Sequence, residues 1–206
     1  MKVAVLSESS ADETAVRILA QAVVSVAIEP VDILPLRTRG WPSVLQVLPV
    51  VIKQLHYHTF ADGLIVVVDS NSSTVHNAAH ESPGSSDPQC RFCQLRATAS
   101  NTLQHLRPIS GRSTLRCAVG TAVPAIEAWY LSGVNHQASE AGFLSGGFGH
   151  DRSELKRLVY GTARPPLSLE IGRATAEAQR VAGTIENLET SFPGGFGRLA
   201  VVLRGW

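Results

Sequence analysis

The sequence predicts an α/β protein with a mainly parallel sheet covered by helices on both faces. Three observations carry this: short aliphatic runs that read as buried strands, segments of helical period between them, and acidic or polar residues where the strands stop. The chain has 206 residues, 44% of them hydrophobic and 17% charged, with a mean hydropathy of +0.09. That is enough apolar surface to offset ordering entropy, so wholesale disorder is excluded. A formal charge of +1 excludes a polybasic protein that holds nucleic acid by bulk charge alone. One domain over 1–206 is expected, with an α/β core (1–141), an insertion within it (70–95) and a helical C-terminal layer (142–206).

Val3-Ala4-Val5-Leu6 reads as a short buried strand that breaks at Ser7-Glu8-Ser9-Ser10. A helical pattern follows from Ala11 to Ala27, with Ser10 or Asp12 suited to cap it. Val31 to Leu36 is apolar enough for a second strand, and Trp41 to His56 has helical spacing with Pro42 in its first turn. Leu64 to Val68, a continuous aliphatic run ending abruptly at Asp69, is the expected central strand. Arg96 to Leu106 reads as a helix, Leu115 to Gly120 as a fourth strand, and Pro124 to Leu131 as a helix opened by proline. A glycine-rich link (Gly142 to Gly149) leads to helices from Ser153 to Tyr160 and from Leu169 to about Leu188. The opening MKVAVLSESS has an apolar run of only four residues. That is too short for a secretion signal or a membrane span, so a cytoplasmic protein with no membrane contact is expected.

In this order Glu8 follows the first strand, Asp69 ends the central one, and Glu127 lies in the first turn of the helix after the fourth. All three fall at the carboxyl edge of the sheet, where parallel α/β sheets bind their ligands. Carboxylates gathered there repel one another unless a hard cation sits among them, and magnesium sites are built this way. Taken singly, Glu8 and Glu127 also suit helix N-termini and Asp69 suits a loop start.

The polar stretch after Asp69 holds a second pattern, H-x3-H-x9-C-x2-C, formed by His76, His80, Cys90 and Cys93. Histidines four apart share one face of a helical turn, and a CxxC knuckle brings two thiolates to one ion. Tetrahedral zinc is therefore the expected occupant, as a staple for a long loop. Zinc closed by four protein ligands is structural; with one histidine unbound it would hold water and act catalytically. The alternatives are a solvated loop and a redox CxxC. The redox reading is the weaker, because such a motif opens a helix straight after a strand, whereas Cys90 follows Ser-Ser-Asp-Pro-Gln. Cys117, in an apolar stretch, reads as inert core.

The strand ending in VAVLSES, the helix with Asp12-Glu13, the strand ending in IVVVDSN and the later PAIEAW resemble the TOPRIM fold. More specifically, the chain is similar to a family of small bacterial TOPRIM-like proteins distantly related to the nuclease domain of OLD-type proteins. RTRGW (Arg37 to Trp41), the turn at Asp69, Pro124 to Trp129, and Ser191-Phe192 carry that likeness across nearly the whole chain. The resemblance implies a magnesium- or manganese-dependent nuclease, with Glu8, Asp69 and Glu127 as catalytic residues. The metal shell would be Glu8, Asp69, Asn71 and Glu127. Asn71 stands where the family has a second aspartate, and Ser9 where a glycine usually follows the glutamate. Kinship also implies a DNA or RNA substrate, a partner ATPase and a setting in bacterial defence, with a homodimer as a further expected association. The rival reading is a noncatalytic TOPRIM-like binding or regulatory module, which the neutral Asn71 favours. A third is a zinc-stabilised interaction protein that works through its C-terminal helices.

Weaker signals remain. Arg37 and Arg39 are placed to reach phosphate, and Gly146 to Asp151 suits a hinge better than a phosphate loop, with Asp151 as a helix cap. Trp41 and Trp129 read as core rather than as base-stacking platforms.

Overall fold

The computed structural model describes residues 1–33, 40–82, 86–146 and 152–206. The second-strand expectation at 34–36, Arg37, Arg39, and the segment 147–151 with His150 and Asp151 lie outside the described residues.

In chain order, β1 (Lys2–Leu6) leads into α1 (Ser10–Val23), and the two-residue strand β2 (Glu29–Pro30) precedes α2 (Trp41–His58). β3 (Gly63–Asp69) is followed by a short 3-10 turn (Ala78–Glu81), α3 (Arg91–Gln104) and β4 (Arg116–Ala122). Then come α4 (Ile126–Tyr130), α5 (Glu140–Leu144), α6 (Arg152–Tyr160), α7 (Leu167–Ala182), α8 (Ile185–Ser191) and α9 (Arg198–Arg204), the last opened by a π turn (Pro193–Gly197).

The four strands are all parallel, in the order β2-β1-β3-β4. The order follows from the strand compositions. All seven residues of β3 are buried, as a central strand with helices on both faces requires. Alternate residues supply two cores. Val3, Val5, Ile65, Val67 and Ala118 face α1 and the C-terminal helices, while Ala4, Leu6, Leu64, Val66 and Val68 face α2 and α3. The chain leaves β1 for β2 on one side and reaches β3 on the other. The carboxyl ends of β1 and β3 therefore bound the switch point at which such sheets open a ligand crevice.

Several expected boundaries move. Ser9, not Ser10 or Asp12, caps α1, its Oγ accepting the Asp12 N–H at 3.2 Å. The second strand is only Glu29–Pro30 where described, Glu29 and Val31 donating to the Met1 and Val3 carbonyls, so its pairing ends where the expected run starts. The long C-terminal helix is two, split at Gly183-Thr184, and the closing segment is helical. This layer packs on the sheet so closely that a Cβ on Gly195 would overlap the Thr121 carbonyl. The largest change in meaning is at α3, which begins at Arg91 with Cys90 as its N-cap. The CxxC does open a helix, though after a loop and not after a strand. Trp129 is fully buried, as expected, and Cys117 is only partly so.

Candidate functional site

Glu8 sits between the end of β1 and the cap of α1, and Asp69 is the last residue of β3. Parallel pairing sets these two strand ends side by side, and Glu8 Oε1 accepts the Asp69 N–H at 3.0 Å. Asp69 in turn uses Oδ1 to accept the Ile126 N–H at 2.9 Å. This serves α4, whose own N-cap Ala125 has no side chain able to cap it. That bond explains why Glu127, the second residue of α4, arrives at the same place. Asp12, one turn into α1, completes the group, and all four carboxylates are buried.

Glu8, Asp12 and Glu127 line a cleft of about 160 Å³ together with Arg152, Lys156, Tyr160 and Glu170. Burial, reinforced by Glu127, pushes Asp12 up to about 7. Burial does the same to Asp69, with Glu127 and Asp12 adding to it, and holds it well above the usual carboxylate range. The opposing cations come from α6. Arg152 Nη2 lies 2.9 Å from Asp69 Oδ2, and Lys156 Nζ lies 3.7 Å from Glu127 Oε1 while donating to Glu170 Oε1 at 2.6 Å. Burial works against the Arg152 charge, but Asp69, Glu127, Glu8 and Asp12 outweigh it and raise its pKa.

Compensation is incomplete. Glu127 Oε2 is buried without a hydrogen-bond donor, and so is Asp69 Oδ2, whose ion-pair contact with Arg152 is not directed as a hydrogen bond. Two such oxygens in one cluster are expensive in an apolar setting. Asn71 has φ 47 and its N–H donates to the Pro124 carbonyl at 2.7 Å; neither it nor Asp69 is among the residues that line the cleft.

The second cluster lies beyond Asp69. His76, His80, Cys90 and Cys93 each offer a ligand atom, all within 4.8 Å of one another, so this set can hold a metal ion such as zinc. His76 Nδ1 is 3.8 Å from Cys90 Sγ and 3.4 Å from Cys93 Sγ, and His80 Nδ1 is 3.7 Å from Cys93 Sγ. A tetrahedral ion with bonds of roughly 2.0–2.3 Å spaces its ligand atoms about 3.3–3.8 Å apart. The two imidazoles therefore offer Nδ1, and their far nitrogens are engaged elsewhere. His76 Nε2 donates to Glu81 Oε1 at 2.7 Å, and His80 Nε2 lies 3.4 Å from Asn77 Nδ2 and 3.9 Å from Asp87 Oδ2. At His76 the carboxylate on the outer nitrogen fixes the tautomer that leaves Nδ1 free to bind metal. Glu81 is itself gripped by Arg96 and Arg198, each at 2.6 Å. Bonds from Arg96 and then His76 hold it down at about 2. Burial raises the Cys90 thiol to about 11 and lowers His76.

Thus the structure brings Glu8, Asp69 and Glu127 together, and His76, His80, Cys90 and Cys93 together. The sequence reading did not assign Asp12, Arg91, Arg152, Lys156 or Glu81 to a site. Asp12 lies in the first turn of the helix that follows Glu8, and Arg152 and Lys156 are one helical turn apart, so that pair repeats a charge on one helix face. That signal alone does not separate a site from a solvated surface. No helix among the described residues is long and apolar enough to cross a membrane. Together these features define an α/β protein with a parallel four-stranded sheet, an acidic cleft at its carboxyl edge and a Cys/His cluster able to hold a metal. Comparison with protein-family models, curated proteins and solved structures finds no match.

Proposed function

We propose that this chain is a TOPRIM-like, magnesium- or manganese-dependent nuclease or related phosphodiester-processing protein, stapled by structural zinc at the Cys/His cluster. One observation carries the reading: Asp69 Oδ2 and Glu127 Oε2 are buried without a donor among four carboxylates. A hard cation relieves that repulsion and takes oxygen ligands. Bound there, it would supply Lewis-acid polarisation of a phosphoryl oxygen and a more acidic water. Glu8 and Asp69 are the expected first ligands. Glu127 either completes the shell or accepts the proton of an attacking water. The Arg152 side chain, 44% exposed at the cleft and paired with Asp69, would exchange that partner for a phosphate, and Lys156 offers a second positive charge beside it. The resemblance to OLD-type nuclease domains extends the proposal to a DNA or RNA substrate and to a partner ATPase in bacterial defence.

The noncatalytic alternative is favoured by the neutral Asn71 and by the ion pair of Arg152 with Asp69, which already neutralises part of the cluster from within. Plasmid, single-stranded DNA and RNA incubated with magnesium or manganese decide between them. Cutting by the wild type that falls at least ~100-fold in Asp69→Ala is the expected result. Equal cutting by both proteins removes the assignment, and manganese binding without any cutting selects the noncatalytic module. For the Cys/His cluster, near-stoichiometric zinc in protein purified without added metal is expected, and its absence refutes the staple.

A further inference from the structure

The residues Cys90-Arg91-Phe92-Cys93 open α3 and divide their side chains between the two clusters. Cys90 and Cys93 present their sulfurs to His76 Nδ1. Phe92 lays its ring against that same imidazole, with centroids 4.3 Å apart. Arg91 reaches the acidic cluster instead. Its Nη1 donates to the Asp69 carbonyl at 2.7 Å and stands 3.8 Å from Glu8 Oε1, and its guanidinium lies 5.3 Å from the centre of the Trp41 ring. Its side chain is 16% exposed. One guanidinium therefore contacts both residues that close the switch point, while its main chain is held between two thiols.

We propose that Arg91 is a positioning residue that links the two clusters: metal held by Cys90 and Cys93 fixes the knuckle, and Arg91 carries that constraint to Asp69 and Glu8. Occupancy of the Cys/His cluster then sets the affinity of the acidic cleft for a divalent cation. The inference rests on the metal readings given above. Its physical basis is the contrast in stiffness. Without metal, the knuckle meets the histidines through sulfur–imidazole contacts of 3.4–3.8 Å and the packing of Phe92 on His76, whereas metal–thiolate bonds fix their lengths closely. Displacing the start of α3 by about an ångström is enough to lose the Arg91 bond to Asp69, because hydrogen bonds weaken steeply with distance and angle. The Asp69 N–H is bonded to Glu8, so both carboxylates shift together.

The test is manganese binding by electron paramagnetic resonance titration of the full chain, with zinc bound and with zinc stripped, in wild type, Arg91→Met and Arg91→Lys. Amide hydrogen exchange at Asp69 and Ser70 is followed in the same samples. In wild type, stripping zinc should weaken manganese binding about tenfold and speed exchange at both amides. In Arg91→Met, zinc content should be normal while manganese affinity and exchange no longer respond to zinc. Arg91→Lys, which keeps the charge without the fork, should recover part of the response. A zinc response that persists in Arg91→Met, or that is absent from wild type, overturns the link. If exchange responds to zinc only when Arg91 is present, yet no form binds manganese, the cleft assignment falls and the positioning role stands. Should the stripped chain unfold by circular dichroism, the zinc-loaded proteins decide. Identical exchange and manganese affinity in wild type and Arg91→Met then overturn the proposal.

Discussion

The Cys/His cluster and the acidic cleft are both polar groups of four side chains beside the same strand end, but they are assembled in opposite ways. The first comes from a single stretch, His76 to Cys93, with Nδ1 atoms turned inward and the outer nitrogen of His76 bonded to Glu81. The second gathers residues from four elements or their ends, and leaves Asp69 Oδ2 and Glu127 Oε2 without donors. A local cluster needs only a short loop to close, so most of its cost is met where the chain turns. A long-range cluster of like charges has no local reason to form. The two cores flanking the sheet hold it together against repulsion.

The largest expected effect separates the two regions directly. Cys93→Ser removes a ligand from the local cluster and should abolish near-stoichiometric zinc. It should lower unfolding stability by several kcal/mol, on the order of 3–5, since metal binding in small zinc sites contributes to folding itself. Metal analysis with denaturant titration reads both, and unchanged stability would mean that the loop is held without metal.

A smaller effect sharpens the outer shell of that cluster. Glu81→Ala frees His76 Nε2 and leaves Arg96 and Arg198 without their shared partner. Zinc affinity, measured by competition with a chelator, should fall roughly 10–100-fold. An unchanged affinity would show that packing of His76 on Phe92 is enough to orient the ring.

The smallest effect tests the strain in the cleft. Asp12 is pushed up to about 7 in the folded chain from an ordinary 3.8. The folded state therefore binds this proton more tightly than the unfolded state does. The stability it contributes is present at low pH and is lost as pH rises through 7. Asp12→Asn imitates the neutral form. With no divalent cation present it should exceed wild type by about 1–2 kcal/mol at pH 8, a few degrees in melting temperature, with the difference shrinking as pH falls below 7 and vanishing only below the unfolded value of 3.8. A variant less stable than wild type at pH 8 would show that Asp12 is held by its cationic neighbours and not strained by its acidic ones.

Legibility follows the same divide. The Cys/His cluster was readable because spacing along a short loop limits where four side chains can go, and the structure brings all four together. Glu8, Asp69 and Glu127 were readable through strand-end logic, since a parallel sheet lines up its carboxyl ends. Their supporting residues were not. Arg91 lies inside the CxxC but contacts the other cluster, and Arg152 and Lys156 come from a helix whose packing against α4 no local pattern specifies. The start of α3 was missed because Arg96 begins the clear periodic run, while the turn before it is fixed by the Cys90 cap and by the Arg91 bond to Asp69.

By itself the sequence determined the alternation of strands and helices, the buried character of β3 and the identity of seven polar residues in two groups. Those follow from local periodicity, aliphatic runs and short-range spacing, which act within a few residues of the chain. Only the tertiary structure decided that Asp69 caps α4, that α6 supplies the opposing charges and that Arg91 bridges the two clusters. Each of these depends on contacts between residues distant along the chain, made once the sheet and both of its cores have closed.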